Sequence, residues 1–131
     1  MDTIQLTVDF PVAPRVIYEA WLDSRQHTAM TGSEATVSDK EGGAFTAWDG
    51  YITGTNATLT PYSQIVQHWR AGEFEEDHED SKLVVDLLPT DEGCKVVLTH
   101  SNIPDDVDAD YETGWEEYYF APMQAYFSRF A

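Results

Sequence analysis

The chain has 131 residues, 42% of them hydrophobic and 13% aromatic, enough for one folded domain that buries roughly two-thirds of the surface its unfolded form exposes. Its 24 acidic side chains against 7 basic ones give a formal charge of −17, which repels phosphate backbones and anionic lipids, so neither nucleic acid nor membrane is an expected partner. No apolar run reaches the ~18 residues of a membrane span, and MDTIQLTVDF lacks a signal peptide's basic and apolar regions.

Residues 3–10 alternate, with Ile4, Leu6, Val8 and Phe10 on one face, and predict a strand that Pro11 ends. Pro14 stands where a helix begins without needing its missing N–H. Val16, Ile17, Ala20 and Trp21 then give 15–22 a helical spacing, and a second short helix over 24–30 closes at Gly32. Short strands follow over 35–38 and 44–48. Asp49-Gly50 is the strongest hairpin signal in the chain and leads into a long strand over 51–60. After Pro61, residues 63–71 place Ile65, Gln67 and Trp69 on one face and Val66, His68 and Arg70 on the other. An acidic loop, GEFEEDHEDS, precedes a strand over 82–88, and Asp91-Glu92-Gly93 turns into the last strand, 94–100.

Residues 106–131 predict a long helix. Val107, Tyr111, Trp115, Tyr119, Met123, Tyr126 and Phe130 recur at steps of three and four. Asp106 or Asp108 can cap its start, and Asp110, Glu112, Glu116 and Glu117 sit where the helix dipole favours negative charge. Gly114 marks a place for the helix to press against its partner. Pro122 cannot donate to the Tyr118 carbonyl, so a kink is expected near the middle. So much aromatic surface requires a broad apolar partner. The order strand, two helices, six strands, long helix predicts an α+β fold over 1–131, an antiparallel sheet with helices on one face.

Five segments, GGAFTAWDGYITG, IVQHWR, EDHEDS, THSNIP and GWEEYYFAPMQAYF, occur in this order between residues 42 and 127. Together they resemble bacterial single-domain proteins of the activator of heat-shock-protein-90 ATPase type, in the START-like, birch-pollen-allergen-like (SRPBCC) superfamily. The resemblance implies a helix-grip fold, in which a curved antiparallel sheet wraps a long C-terminal helix around an internal cavity. In the two-domain eukaryotic co-chaperones of this family, the similar part is the C-terminal domain.

In a helix-grip, Phe45, Trp48, Trp69, Trp115, Tyr119 and Phe120, with Trp21 and Met30 from the early helices, lie around the interior. There they either line a ligand pocket or fill a core. His100 shares strand parity with Val96 and Leu98 and points inward. Such an imidazole serves as an acid or base, holds a ligand's polar group, or is simply hydrogen-bonded in place. His68, opposite Trp69, is expected to be exposed. Cys94 reads as a small core residue; as the single cysteine it excludes an internal disulfide and fits a reducing cytoplasm. The acidic loop lacks the alternation and central glycine of a calcium site, so no metal and no cofactor are expected.

The leading expectation is a non-enzymatic cytoplasmic protein that holds a small hydrophobic or amphipathic ligand between sheet and helix. An interaction module that stimulates an Hsp90-type chaperone ATPase is the alternative from family resemblance. A small cyclase- or hydrolase-like enzyme using His100 with Tyr119 is the third. Exposed edge strands permit either a monomer or a homodimer.

Overall fold

The computed structural model describes residues 2–107 and 109–130. Seven strands form one antiparallel sheet: β1 Asp2–Phe10, β2 Thr36–Val37, β3 Ala44–Ala47, β4 Ile52–Thr60, β5 Gln64–Ala71, β6 Ser81–Thr90 and β7 Gly93–Ile103. Their order across the sheet is β1-β7-β6-β5-β4-β3-β2. Each strand from β3 onward folds back on its predecessor through a short connection. The first strand instead pairs with the last, Leu6 opposite Leu98 and Val8 opposite Val96. Two short helices, α1 Pro14–Trp21 and α2 Ser24–Thr31, therefore carry the chain from one sheet edge to the other.

Local chemistry explains where these helices start and stop. Pro14 opens α1, which buries Ile17, Ala20 and Trp21. The Asp23 carboxylate accepts the Gln26 N–H at 2.9 Å to cap α2, and Gly32, at φ 82°, closes it in the left-handed conformation. In the β3–β4 hairpin, Asp49 and Gly50 hold φ of 58° and 87°, the geometry expected of an Asp-Gly turn, and Tyr51 N–H reaches the Trp48 carbonyl at 3.1 Å.

The long helix, α3, is continuous from Tyr111 but not uniform. An α-helical turn over Tyr111–Trp115 passes into π-helix over Glu116–Phe120, returns to α-helix over Ala121–Phe127 and ends in a 3₁₀ turn, Ser128–Phe130. Pro122 explains the change. Without a Pro122 N–H the i→i+4 ladder breaks, and the Ala121 N–H reaches back five residues to the Glu116 carbonyl. At Pro122, where a kink is expected from the sequence, the structure has a π segment directly before the proline's turn.

The start of α3 differs from the sequence expectation. Asp110 is the cap, its carboxylate accepting the Thr113 N–H at 3.1 Å and the Thr113 hydroxyl at 2.8 Å. Asp106 lies before the helix, where a separate turn joins Val107 N–H to the Pro104 carbonyl. Asp108 and Ala131 lie outside the described residues.

One face of the sheet and the three helices share one core. Ile65, Trp69, Leu83, Val85, Val96 and Leu98 are buried beneath Trp115, Tyr119, Met123 and Phe127. Trp21 is its hub, stacking on Tyr119 at 5.3 Å and Trp115 at 6.4 Å between ring centroids. The buried Gln67 is satisfied on both sides. Its amide donates to Asn56 Oδ1 at 2.9 Å, and its carbonyl oxygen faces the Trp21 indole N–H at 3.5 Å. Gly54 is required by a close approach: a Cβ there would stand 2.7 Å from the Phe45 ring and 2.0 Å from the His68 carbonyl oxygen. Arg70 organises the acidic loop, donating to the Glu75 and His78 carbonyls and pairing with Asp80 at 3.0 Å.

Candidate functional site

Where the first half of α3 passes the β3–β4 turn, the core does not close. A pocket of about 370 Å³ lies there, walled by Trp48, Tyr51 and Ile52 on one side and by Asp110, Tyr111, Gly114, Trp115, Tyr118 and Tyr119 on the other, with Trp69 and Ala109 completing it. Gly114 helps keep it open. A Cβ built on Gly114 meets nothing within 4 Å, so this glycine faces space instead of pressing against the sheet as expected. Trp48 is unusual in two respects. Its φ is +51°, unusual for a bulky residue, and its indole Nε1 is buried with no hydrogen-bond partner.

Two buried histidines hold the pocket wall from behind. Trp115 Nε1–H can only donate, so at 3.1 Å it makes His100 Nδ1 an acceptor. The His100 proton therefore sits on Nε2 and is given to Ser81 Oγ at 2.8 Å, while the Ser81 hydroxyl donates to the Trp69 carbonyl at 2.6 Å. Every polar atom in this chain is used, and burial lowers the His100 pKa to about 4, keeping the ring neutral. His27 does the same for Tyr119. Its Nδ1–H donates to the Trp21 carbonyl at 2.8 Å, which leaves Nε2 to accept the Tyr119 hydroxyl at 2.9 Å. Burial lowers the His27 pKa and raises that of Tyr119.

These bonds separate the acid–base pair proposed from the sequence. The Tyr119 hydroxyl is committed to His27, and both His100 nitrogens are occupied by Trp115 and Ser81. His100 and Tyr119 share no hydrogen bond, so the arrangement positions rings and does not assemble an acid–base couple.

At the rim, Glu73 of the acidic loop accepts the Tyr51 hydroxyl at 2.5 and 2.6 Å and also the Tyr111 hydroxyl. Burial, followed by these contacts with Glu73, raises both phenol pKa values, so the protons stay on oxygen. Asp110, stabilised by its bonds to Thr113, has a lowered pKa and stays ionised.

Among the residues expected around the interior, Trp48, Trp69, Trp115 and Tyr119 line the pocket. Met30, Phe45, His100 and Phe120 are buried elsewhere: Phe45 lies over Gly54, and His100 backs Trp115 and Trp69. Tyr51, Ile52, Tyr111, Gly114 and Tyr118 also line the pocket but were not among the candidate binding residues. Tyr111, Trp115 and Tyr118 follow one another at steps of four and three, so the helix period itself places them together. Glu73 offered no such signal, because nothing in its loop indicates which hydroxyls fold back onto it.

Residues 11–128 match the family model described as "Activator of Hsp90 ATPase homolog 1-like protein". The activator of 90 kDa heat shock protein ATPase homolog of Dictyostelium discoideum is 30% identical over 114 residues, covering 87% of this chain but only 30% of that protein. Among solved structures, an HSP90 activator from Plasmodium falciparum is 26% identical with a TM-score of 0.86, each chain covered to 96%. The Aha1 dimer of Colwellia psychrerythraea shares the fold, at 16% identity and a TM-score of 0.76, over 97% of this chain and 94% of that one. The chain belongs to the family of Activator of Hsp90 ATPase homolog 1-like proteins.

Proposed function

We propose that the protein is a cytoplasmic binding protein, not an enzyme, that takes a small apolar or amphipathic ligand in the pocket beside α3. The observation that carries this reading is the recess itself, an opening in the core walled by the rings of Trp48, Trp69, Tyr111, Trp115, Tyr118 and Tyr119. The volume of about 370 Å³ falls within the ordinary range of small-molecule sites.

Gly114→Leu tests the reading. The new side chain enters open space, and leucine favours helix over glycine by up to ~1 kcal/mol, so the variant should melt no lower than the parent. A thermal-shift screen of apolar and amphipathic fragments is expected to find ligands for the parent and none for Gly114→Leu. A screen in which no fragment shifts the parent removes the reading.

The named relatives support a second reading, an interaction module that stimulates the ATPase of an Hsp90-type chaperone. Adding the purified protein to such a chaperone should raise its ATPase rate, and the two should co-purify. An unchanged rate together with no recovered complex disposes of this alternative.

A further inference from the structure

The chemistry of the pocket narrows the class of guest, an inference that rests on the ligand-binding reading above. Six of the rings that line it are Trp48, Trp69, Tyr111, Trp115, Tyr118 and Tyr119. They pack on one another. Trp48 meets Tyr118 edge-on at 5.4 Å, and Trp69 packs with Tyr111 at 5.5 Å while Trp115 packs with Tyr119 at 4.7 Å. Aromatic faces carry negative potential and attract a cation within ~6 Å of a ring centroid. A purely hydrocarbon guest needs no such lining, since aliphatic side chains would serve it equally, and Ile52 is the single large aliphatic residue present.

Charge points the same way. Among the described residues no lysine or arginine lines the pocket, and its one charged lining residue is Asp110. Glu73 stands behind the rim and accepts from both Tyr51 and Tyr111. A phenol that donates to a carboxylate gains electron density in its ring. The net charge of −17 draws cations toward the whole molecule and repels anions.

We propose that the pocket binds an organic cation of the quaternary ammonium class, its positive centre held against the indole and phenol faces and toward Asp110. A primary ammonium is a poorer guest. It brings three N–H donors that need acceptors, and an aromatic recess supplies few. A quaternary centre brings none.

Two probes of nearly the same shape separate charge from hydrophobicity: choline, and 3,3-dimethylbutan-1-ol, in which carbon replaces the ammonium nitrogen. Both carry the hydroxyl. Titrations followed on the indole N–H resonances of ¹⁵N-labelled protein should shift the Trp48 signal, with choline binding about tenfold more tightly than the alcohol at low salt. Asp110→Asn keeps a capping oxygen and Glu73→Gln keeps an acceptor for the two phenols. Each is expected to weaken choline roughly threefold and leave the alcohol unchanged. Equal or tighter binding of the alcohol overturns the cation proposal while the ligand-binding reading stands. Binding of neither probe also overturns it, and the fragment screen with Gly114→Leu then decides the ligand-binding reading separately.

Discussion

Replacing Trp21 with alanine is expected to lower the unfolding free energy by about 3–5 kcal/mol, the range for deleting a fully buried indole. Trp21 is 2% exposed and stacks on both Trp115 and Tyr119, with the His27 ring edge-on at 5.4 Å. Alanine removes all three contacts and leaves the Gln67 carbonyl oxygen without its indole donor. Domains of this size have only about 5–15 kcal/mol in total, so the variant sits near its limit. Urea denaturation measures the loss, and Trp21→Phe, which preserves part of the stack, should lose less. A loss below about 1.5 kcal/mol for the alanine variant would show that the stack does not close the core. The consequence reaches the pocket, because Trp115 and Tyr119 form its inner wall and rest on Trp21.

Acidification is expected to unfold the protein in part through His100. Its pKa is lowered to about 4 by burial, whereas in the unfolded chain an imidazole titrates near 6.5. Between those values the unfolded state holds the extra proton, so stability rises with pH. The contribution is complete above roughly pH 6.5 and is lost as pH falls toward 4, about 3 kcal/mol over the whole window. His27, lowered by the same cause, adds in the same direction. Protonation of surface carboxylates relieves the self-repulsion of a −17 charge and acts oppositely, but it does so in any variant. The measurement is therefore the stability gap between the parent and His100→Gln, which should shrink from pH 7 to pH 4.5. A gap that stays constant would mean that His100 titrates alike in both states.

Much of this architecture was legible before any coordinates. Strand and short-helix assignments rested on local signals: the alternation of Ile65, Gln67 and Trp69, the left-handed residues at Gly32 and Asp49-Gly50, and the proline at the start of α1. The α+β sheet with helices on one face followed from their order, the helix-grip was implied by the family resemblance, and the HSP90 activator from Plasmodium falciparum shares the fold. Even the inward-facing Gln67, the least expected core residue, was given its side by parity alone.

The sequence by itself determined which face each side chain takes, because backbone period is a local property of covalent geometry and steric preference. Only the tertiary structure decided what stands opposite that face. Phe45 and Trp48 lie three residues apart; one lies over Gly54 and the other borders a pocket. Gly114 borders the pocket and faces open space, where crowding by the sheet was the expectation. Glu73 meets Tyr51 and Tyr111 across separations of 22 and 38 residues. A pocket is volume that no side chain fills, so it depends on summed contributions from remote strands and one helix. No single segment contains that sum.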